Sequence, residues 1–130
     1  MLIGQMGILI VDDVNAMRMQ IKDLMKSFGF RKVMTAPSGQ EAMQMMEANP
    51  IHLVLCDWQM HPVTGLEFLS YIRKHPEFSK TAFIMVTADS TRDRVIEAIK
   101  AGVDDYIVKP LTHNQIQDKV YSVLLRRQLL

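Results

Sequence analysis

Residues 53–57 read Leu-Val-Leu-Cys-Asp, four apolar positions in a row that end on a carboxylate. A strand without polar alternation must be covered on both faces, which is the situation of a central strand in a parallel sheet. Three further runs end in a comparable way: Ile8 to Val11 leads into Asp12-Asp13, Ala82 to Val86 into Thr87, and Tyr106 to Val108 into Lys109. In an open parallel sheet the carboxyl ends of the strands share one edge, so residues far apart in sequence converge on a single crevice. Three carboxylates, a hydroxyl and an ammonium meeting there point to a divalent metal and a phosphorylated aspartate.

Between these runs the periodicity changes to that of helices. Met17, Ile21, Leu24 and Phe28 fall on one helical face, as do Leu66, Leu69 and Ile72, and later Ile116, Val120, Val123 and Leu124. Helix starts carry one device four times: Ser38 before Glu41, Thr64 before Glu67, Ser90 before Asp93, and Thr112 before Gln115, each a hydroxyl three positions ahead of a side chain able to reach back. Stops are marked by Gly29, Asn49-Pro50, His75-Pro76 and Gly102. With strands near 7–11, 33–36, 52–56, 82–87 and 105–109, the alternation predicts a five-stranded doubly wound parallel sheet with five helices.

Composition agrees with one domain. The chain has 130 residues, 48% hydrophobic and 22% charged, and a net charge of +1, enough for a single core and too balanced for a nucleic-acid or anionic-membrane footprint. Cys56 is the lone cysteine, so no internal disulfide forms, and its apolar neighbours make it a buried strand residue in a reducing compartment. The N-terminus lacks a basic leader, and no run is long enough to span a bilayer, which leads us to expect a cytoplasmic protein. The four histidines are dispersed and propose no metal site, and Met43, Met45 and Met46 read as core filler.

The segments ILIVDD (8–13), LVLCDWQM (53–60), IMVTAD (84–89) and DDYIVKP (104–110) closely resemble the receiver domain of two-component response regulators over nearly the whole chain. The layout is most similar to the stand-alone chemotaxis-type regulators. The resemblance implies a flavodoxin-like receiver fold with strand order 2-1-3-4-5, residues 1–130 forming a single receiver domain with no output domain. It also implies a sensor histidine kinase as phosphodonor and a downstream protein target, either the flagellar switch or another effector. A monomer that binds neither nucleic acid nor membrane is expected, one that promotes only its own phosphorylation and dephosphorylation. The alternative is a phosphate-transfer intermediate or an adaptor receiver in a non-chemotaxis phosphorelay.

Phosphoryl transfer to a carboxylate brings two anions together, so positive charge must stand at the site. Mg2+ suits it, because it takes hard oxygen ligands and few protein carboxylates. By the resemblance, Asp57 is the phosphoacceptor and a metal ligand, Asp12 and Asp13 are metal ligands, and Gln59 adds its backbone carbonyl. Lys109 and Thr87 contact the phosphoryl oxygens, Pro110 follows a cis bond, and Tyr106 changes rotamer with Thr87 to switch the face made by the fourth helix, fifth strand and fifth helix. Asp89 and Gln59 hold positions that tune water access to the phosphoryl group. The loop after Asp57 departs from the family in having His61-Pro62 where proline usually follows Met60 directly, and Thr64 where an acidic residue usually precedes Gly65.

Two other classes fit less well. A haloacid dehalogenase-type phosphohydrolase needs an acidic residue two positions after its nucleophile, and Asn15 stands two after Asp13. A flavodoxin-like cofactor carrier needs a first loop rich in Ser, Thr and Gly, whereas Asp12-Asp13 would repel a phosphate.

Overall fold

In the computed structural model, which describes residues 1–130, a short 3-10 turn (Ile3–Gln5) precedes five strands and five helices in strict alternation. These are β1 (Gly7–Val11), α1 (Asn15–Ser27), β2 (Lys32–Ala36), α2 (Gly39–Ala48), β3 (Leu53–Cys56), α3 (Gly65–Lys74), β4 (Ala82–Thr87), α4 (Arg92–Ala101), β5 (Asp105–Val108) and α5 (His113–Arg126). All neighbouring strands pair in parallel in the order β2-β1-β3-β4-β5, so the expected doubly wound sheet is present and β1 and β3 flank its switch point.

Successive strand side chains point to opposite faces, and the two faces carry separate cores. Ile8, Ile10, Leu53, Leu55, Ile84 and Val86 pack with Ile21 and Met25 of α1 and Val120, Val123 and Leu124 of α5. Leu9, Val11, Val54, Cys56, Phe83 and Met85 pack with Met46 of α2, with Phe68, Leu69 and Ile72 of α3, and with Ala98 of α4. Every residue of β1, β3 and β4 is buried, which is why these strands read as continuous apolar runs. Each fully buried large aliphatic side chain on these strands contributes about 1.5–3 kcal/mol of burial free energy. Met46 is buried, and Met43 and Met45 pack at the margin of the second core.

Three of the four expected hydroxyl caps form, and one of them is reciprocal. Ser38 and Thr112 accept the N–H of Glu41 and Gln115, and Thr64 with Glu67 forms a reciprocal capping box. Gly29 and Gly102 take the left-handed conformation, with φ of 103° and 98°. Ser90 does not cap α4. The helix begins one residue later, after Thr91, whose side chain makes no capping bond; instead Asp89 Oδ1 accepts the Thr91 N–H at 3.0 Å. The turn closed by Asp89 carries the helix start past the serine. Ala98 alone is buried on α4, which leaves that helix the most lightly anchored of the five. No helix is long and apolar enough to cross a membrane.

The rim opposite the strand carboxyl ends is tied by Asp104. Its Oδ2 accepts the Phe83 N–H at 2.8 Å and faces Arg73 at 3.1 Å, while Oδ1 faces Arg127 Nε at 2.8 Å. Arg73 also donates to the carbonyls of Gly102, Ser79 and Thr81. The ends of α3, α4 and α5 are thereby fastened to β4 by one carboxylate and two guanidinium groups.

Candidate functional site

The hydrogen-bond ladder continues one residue past the strands and so places the reactive residues. Asp12 N–H donates to Ala36 O at 3.2 Å, Asp57 N–H to Val11 O at 2.9 Å, and Lys109 N–H to Thr87 O at 2.9 Å. Each backbone is thus held as firmly as the sheet, while its side chain stands over the rim. Gly65 closes the loop behind Asp57 by donating its N–H to Trp58 O at 2.9 Å. A Cβ at Gly65 would overlap the Asp57 carbonyl oxygen and lie 2.9 Å from Trp58 Cα, so only glycine lets the start of α3 approach this closely.

The two inner carboxylates are held alike. Asp12 Oδ1 accepts the Val14 N–H at 2.9 Å and Asp57 Oδ1 the Trp58 N–H at 2.7 Å, while Lys109 Nζ lies 3.0 Å from Asp12 Oδ2 and 3.2 Å from Asp57 Oδ2. Asp12 and Asp57 are buried; Asp13 is exposed. One carboxylate oxygen from each of the three lies within 4.8 Å of the others.

Three carboxylates facing one ammonium leave an excess of negative charge. Burial raises the Asp12 carboxyl above its ordinary range, against the opposing Val14 hydrogen bond and Lys109. Burial pulls Lys109 down, but its hydrogen bond to Asp12 and the charges of Asp57 and Asp12 outweigh that and raise it overall. The Asp12 shift is chiefly the cost of burying a charge, and the Lys109 shift reports the negative charge of the carboxylates around it. A cluster of hard oxygen donors is the set that Mg2+ prefers, so the residues present fit that ion. Arg18 adds a fixed cation nearby, donating to the Asp12 backbone carbonyl at 2.6 Å.

Thr87 is buried at the end of β4, and its Oγ1 accepts the Asp89 N–H at a long 3.4 Å. Tyr106, half-buried on β5, donates its hydroxyl to the Asp89 carbonyl. Burial, then the Asp89 charge, pushes the Tyr106 phenol up to about 12, so it remains a donor at neutral pH. Gln59 is exposed in the loop after β3. Cys56 is fully buried, and burial with the charges of Asp57 and Asp12 pushes its thiol well above its ordinary range, which removes it as a nucleophile.

Several working residues carried no sequence signal. The Asp104 tie depends on partners 21 to 31 positions away, and only the Asp104-Asp105 doublet hints at it. His52 accepts the Gly7 N–H on Nδ1 at 2.9 Å, a structural role, and no histidine joins the acidic cluster. The Lys109-Pro110 bond is cis as the resemblance implies, and His61-Pro62 is cis as well.

Comparison with known proteins agrees with this geometry. Two relatives are each 36% identical over 121 residues: the "Chemotaxis protein CheY" of Pseudomonas aeruginosa, covering 93% of this chain and 98% of that protein, and the "Chemotaxis protein CheY-3" of Vibrio cholerae, covering 93% of each. Among solved structures, a response regulator receiver domain protein from Clostridium thermocellum superposes with a TM-score of 0.85 at 29% identity, covering 95% of this chain and 98% of that one. A CheY-like receiver domain protein from Methanospirillum hungatei gives 0.87 at 27% identity over 95% and 96%. Residues 8–121 match the response regulator receiver domain, and the chain, with its acidic crevice at the switch point of a 2-1-3-4-5 sheet, belongs to that family of two-component signalling proteins.

Proposed function

We propose that this chain is a chemotaxis-type response regulator that accepts a phosphoryl group on Asp57 from a sensor histidine kinase. The observation that carries the reading is the sharing of Lys109 between Asp12 and Asp57, with Asp13 completing an oxygen cluster around them. The chemotaxis assignment rests on relatives that bear that description at 36% identity over nearly their full lengths.

Asp12, Asp13 and Asp57, with the backbone carbonyl of Gln59, would hold Mg2+. When bound, that ion neutralises charge on the phosphoryl oxygens. The chain's own residues do the rest. An Asp57 oxygen attacks phosphorus, the bond from phosphorus to the donor's imidazole nitrogen breaks, and that nitrogen keeps the electron pair. Lys109 stands ready for the negative charge that spreads over the transferring group. Thr87 supplies a hydroxyl at the neighbouring strand end. Hydrolysis of the acyl phosphate by water later returns Asp57 and inorganic phosphate, so the chain promotes only its own phosphorylation and dephosphorylation.

Thr87 and Tyr106 then convey the change to α4, β5 and α5, where a downstream protein, the flagellar switch or another effector, is bound. Residues 1–130 act as one receiver domain, as a monomer in the cytoplasm. The test is intact-mass measurement after incubation with an acyl phosphate and Mg2+. One added phosphoryl group is expected, lost with chelator and absent from Asp57→Asn; equal labelling of that variant would overturn the assignment.

A further inference from the structure

Resting on the reading that Asp57 is phosphorylated, we propose that Arg94 is a positioning residue that ties together the two loops flanking Asp57. Through this tie the state of that carboxylate reaches Tyr106 by a route separate from the Thr87 side chain.

The route is contiguous. Trp58 follows the phosphoacceptor and donates its N–H to Asp57 Oδ1 at 2.7 Å. Trp58 is only 3% exposed, and the Arg94 guanidinium carbon lies 4.8 Å from the indole centroid, within reach of attraction to the aromatic face. Arg94 Nε also lies 3.4 Å from Asp89 Oδ2. Asp89 in turn accepts the Tyr106 hydroxyl on its backbone carbonyl. Asp57, Trp58, Arg94, Asp89 and Tyr106 therefore form a line of direct contacts. By contrast, the Thr87 hydroxyl meets the same loop through a single 3.4 Å bond.

Chemistry at Asp57 acts on the first link. Phosphorylation replaces a delocalised carboxylate by an ester-like acyl group, so the charge-assisted bond from Trp58 N–H weakens to about half its strength, and the dianionic charge moves outward onto the phosphoryl oxygens. The loop carrying Trp58 readjusts, and the guanidinium lying over its indole moves the Asp89 loop with it. Arg94 is the third residue of α4, the helix anchored by Ala98 alone, so little packing resists the shift.

Contiguity becomes coupling only when it is measured. Parent, Arg94→Ala and Arg94→Lys are compared with and without an acyl phosphate and Mg2+. Intact mass reads phosphoryl uptake, iodide quenching reads the cover on Trp58, the sole tryptophan, and amide shifts read Tyr106 and α5. Arg94→Ala is expected to expose Trp58 to iodide, to leave the extent of phosphorylation unchanged, and to shrink the phosphorylation-induced shifts at Tyr106 by roughly twofold or more. Arg94→Lys restores only part of the shift, since an ammonium can pair with Asp89 but brings no planar face to the indole. Adding Thr87→Ala to Arg94→Ala should remove what either change alone leaves. Parental shifts at Tyr106 in a fully phosphorylated Arg94→Ala protein would overturn the proposal. Failure of the parent to take up phosphate would overturn the functional reading instead.

Discussion

Lys109 Nζ lies 3.0 Å from Asp12 Oδ2, joining residues 97 positions apart across the switch point of the sheet. This contact is the chief local compensation for a crowded cluster of carboxylates, and it makes the stability of the fold depend on charges placed there for chemistry.

Removing the cation and removing one anion should therefore act with opposite signs. Lys109→Met leaves buried Asp12 without its ion-pair partner and should destabilise the fold by about 1–3 kcal/mol, less than a fully buried pair because the lysine remains partly hydrated. Asp57→Asn relieves repulsion and leaves Lys109 to Asp12, and should stabilise by about 1 kcal/mol in chelator. Asp13→Asn should gain less, since Asp13 is exposed and screened. Urea titrations of the three variants measure all of this, and a stabilised Lys109→Met protein would contradict it.

The pH dependence of stability contains two opposed contributions. Asp12 has its folded pKa raised above 3.8, so the native state binds its proton first. Without metal its contribution therefore grows as pH falls through the folded value and is absent at neutral pH. His52 behaves in the reverse sense: burial, then the Lys32 charge, depresses it below 6.5. The stability it contributes is present above 6.5 and is lost as pH falls toward the folded value. Urea midpoints between pH 7.5 and 4 should show Asp12→Asn removing the acid-side gain and His52→Gln removing the loss that sets in below about pH 6.5.

Gly65→Ala should injure site and fold together. The added methyl group meets backbone atoms of Asp57 and Trp58, which cannot rotate away, so a cost of about 2–4 kcal/mol and slower phosphorylation are expected. Gly39→Ala meets Val63 Cγ1 and Cβ at 2.7 and 2.8 Å and the Val63 carbonyl oxygen at 3.2 Å, looser than the backbone overlap at Gly65, and should cost less. Paired melts and labelling rates for the two variants provide the comparison, and equal damage from both would refute the backbone argument.

Asp104→Ala leaves the Phe83 N–H, Arg73 and Arg127 without their shared acceptor at the rim away from the chemistry. A loss of about 1–3 kcal/mol is expected, chiefly from the buried Phe83 N–H left without an acceptor, with phosphorylation by an acyl phosphate retained at temperatures where the protein is folded. Loss of labelling in the folded variant would show that the two rims are not independent.

What could be read from the amino-acid order was whatever depends on near neighbours or on strand ends. The central strands announced themselves because burial on both faces demands an unbroken apolar run, and Asp12, Asp13, Asp57, Thr87 and Lys109 followed as the residues those runs deliver to one rim. Ser90 misled because the turn that Asp89 closes on the Thr91 N–H carries the helix start one residue past the serine. The Asp104 tie, the Trp58 to Arg94 contact and the His52 acceptor were not legible, since each depends on a partner brought close only by the completed sheet.

The pairing of Thr87 with Val108 places Lys109 one step beyond the last rung, its N–H on the Thr87 carbonyl. Inserting or deleting one residue in β5 would carry that ammonium about 3.3 Å along the strand and turn it to the opposite face of the sheet. For protein engineering, this makes the edge strand a ruler. Whatever is changed on it to suit a new partner, its spacing from Tyr106 to Lys109 has to be kept.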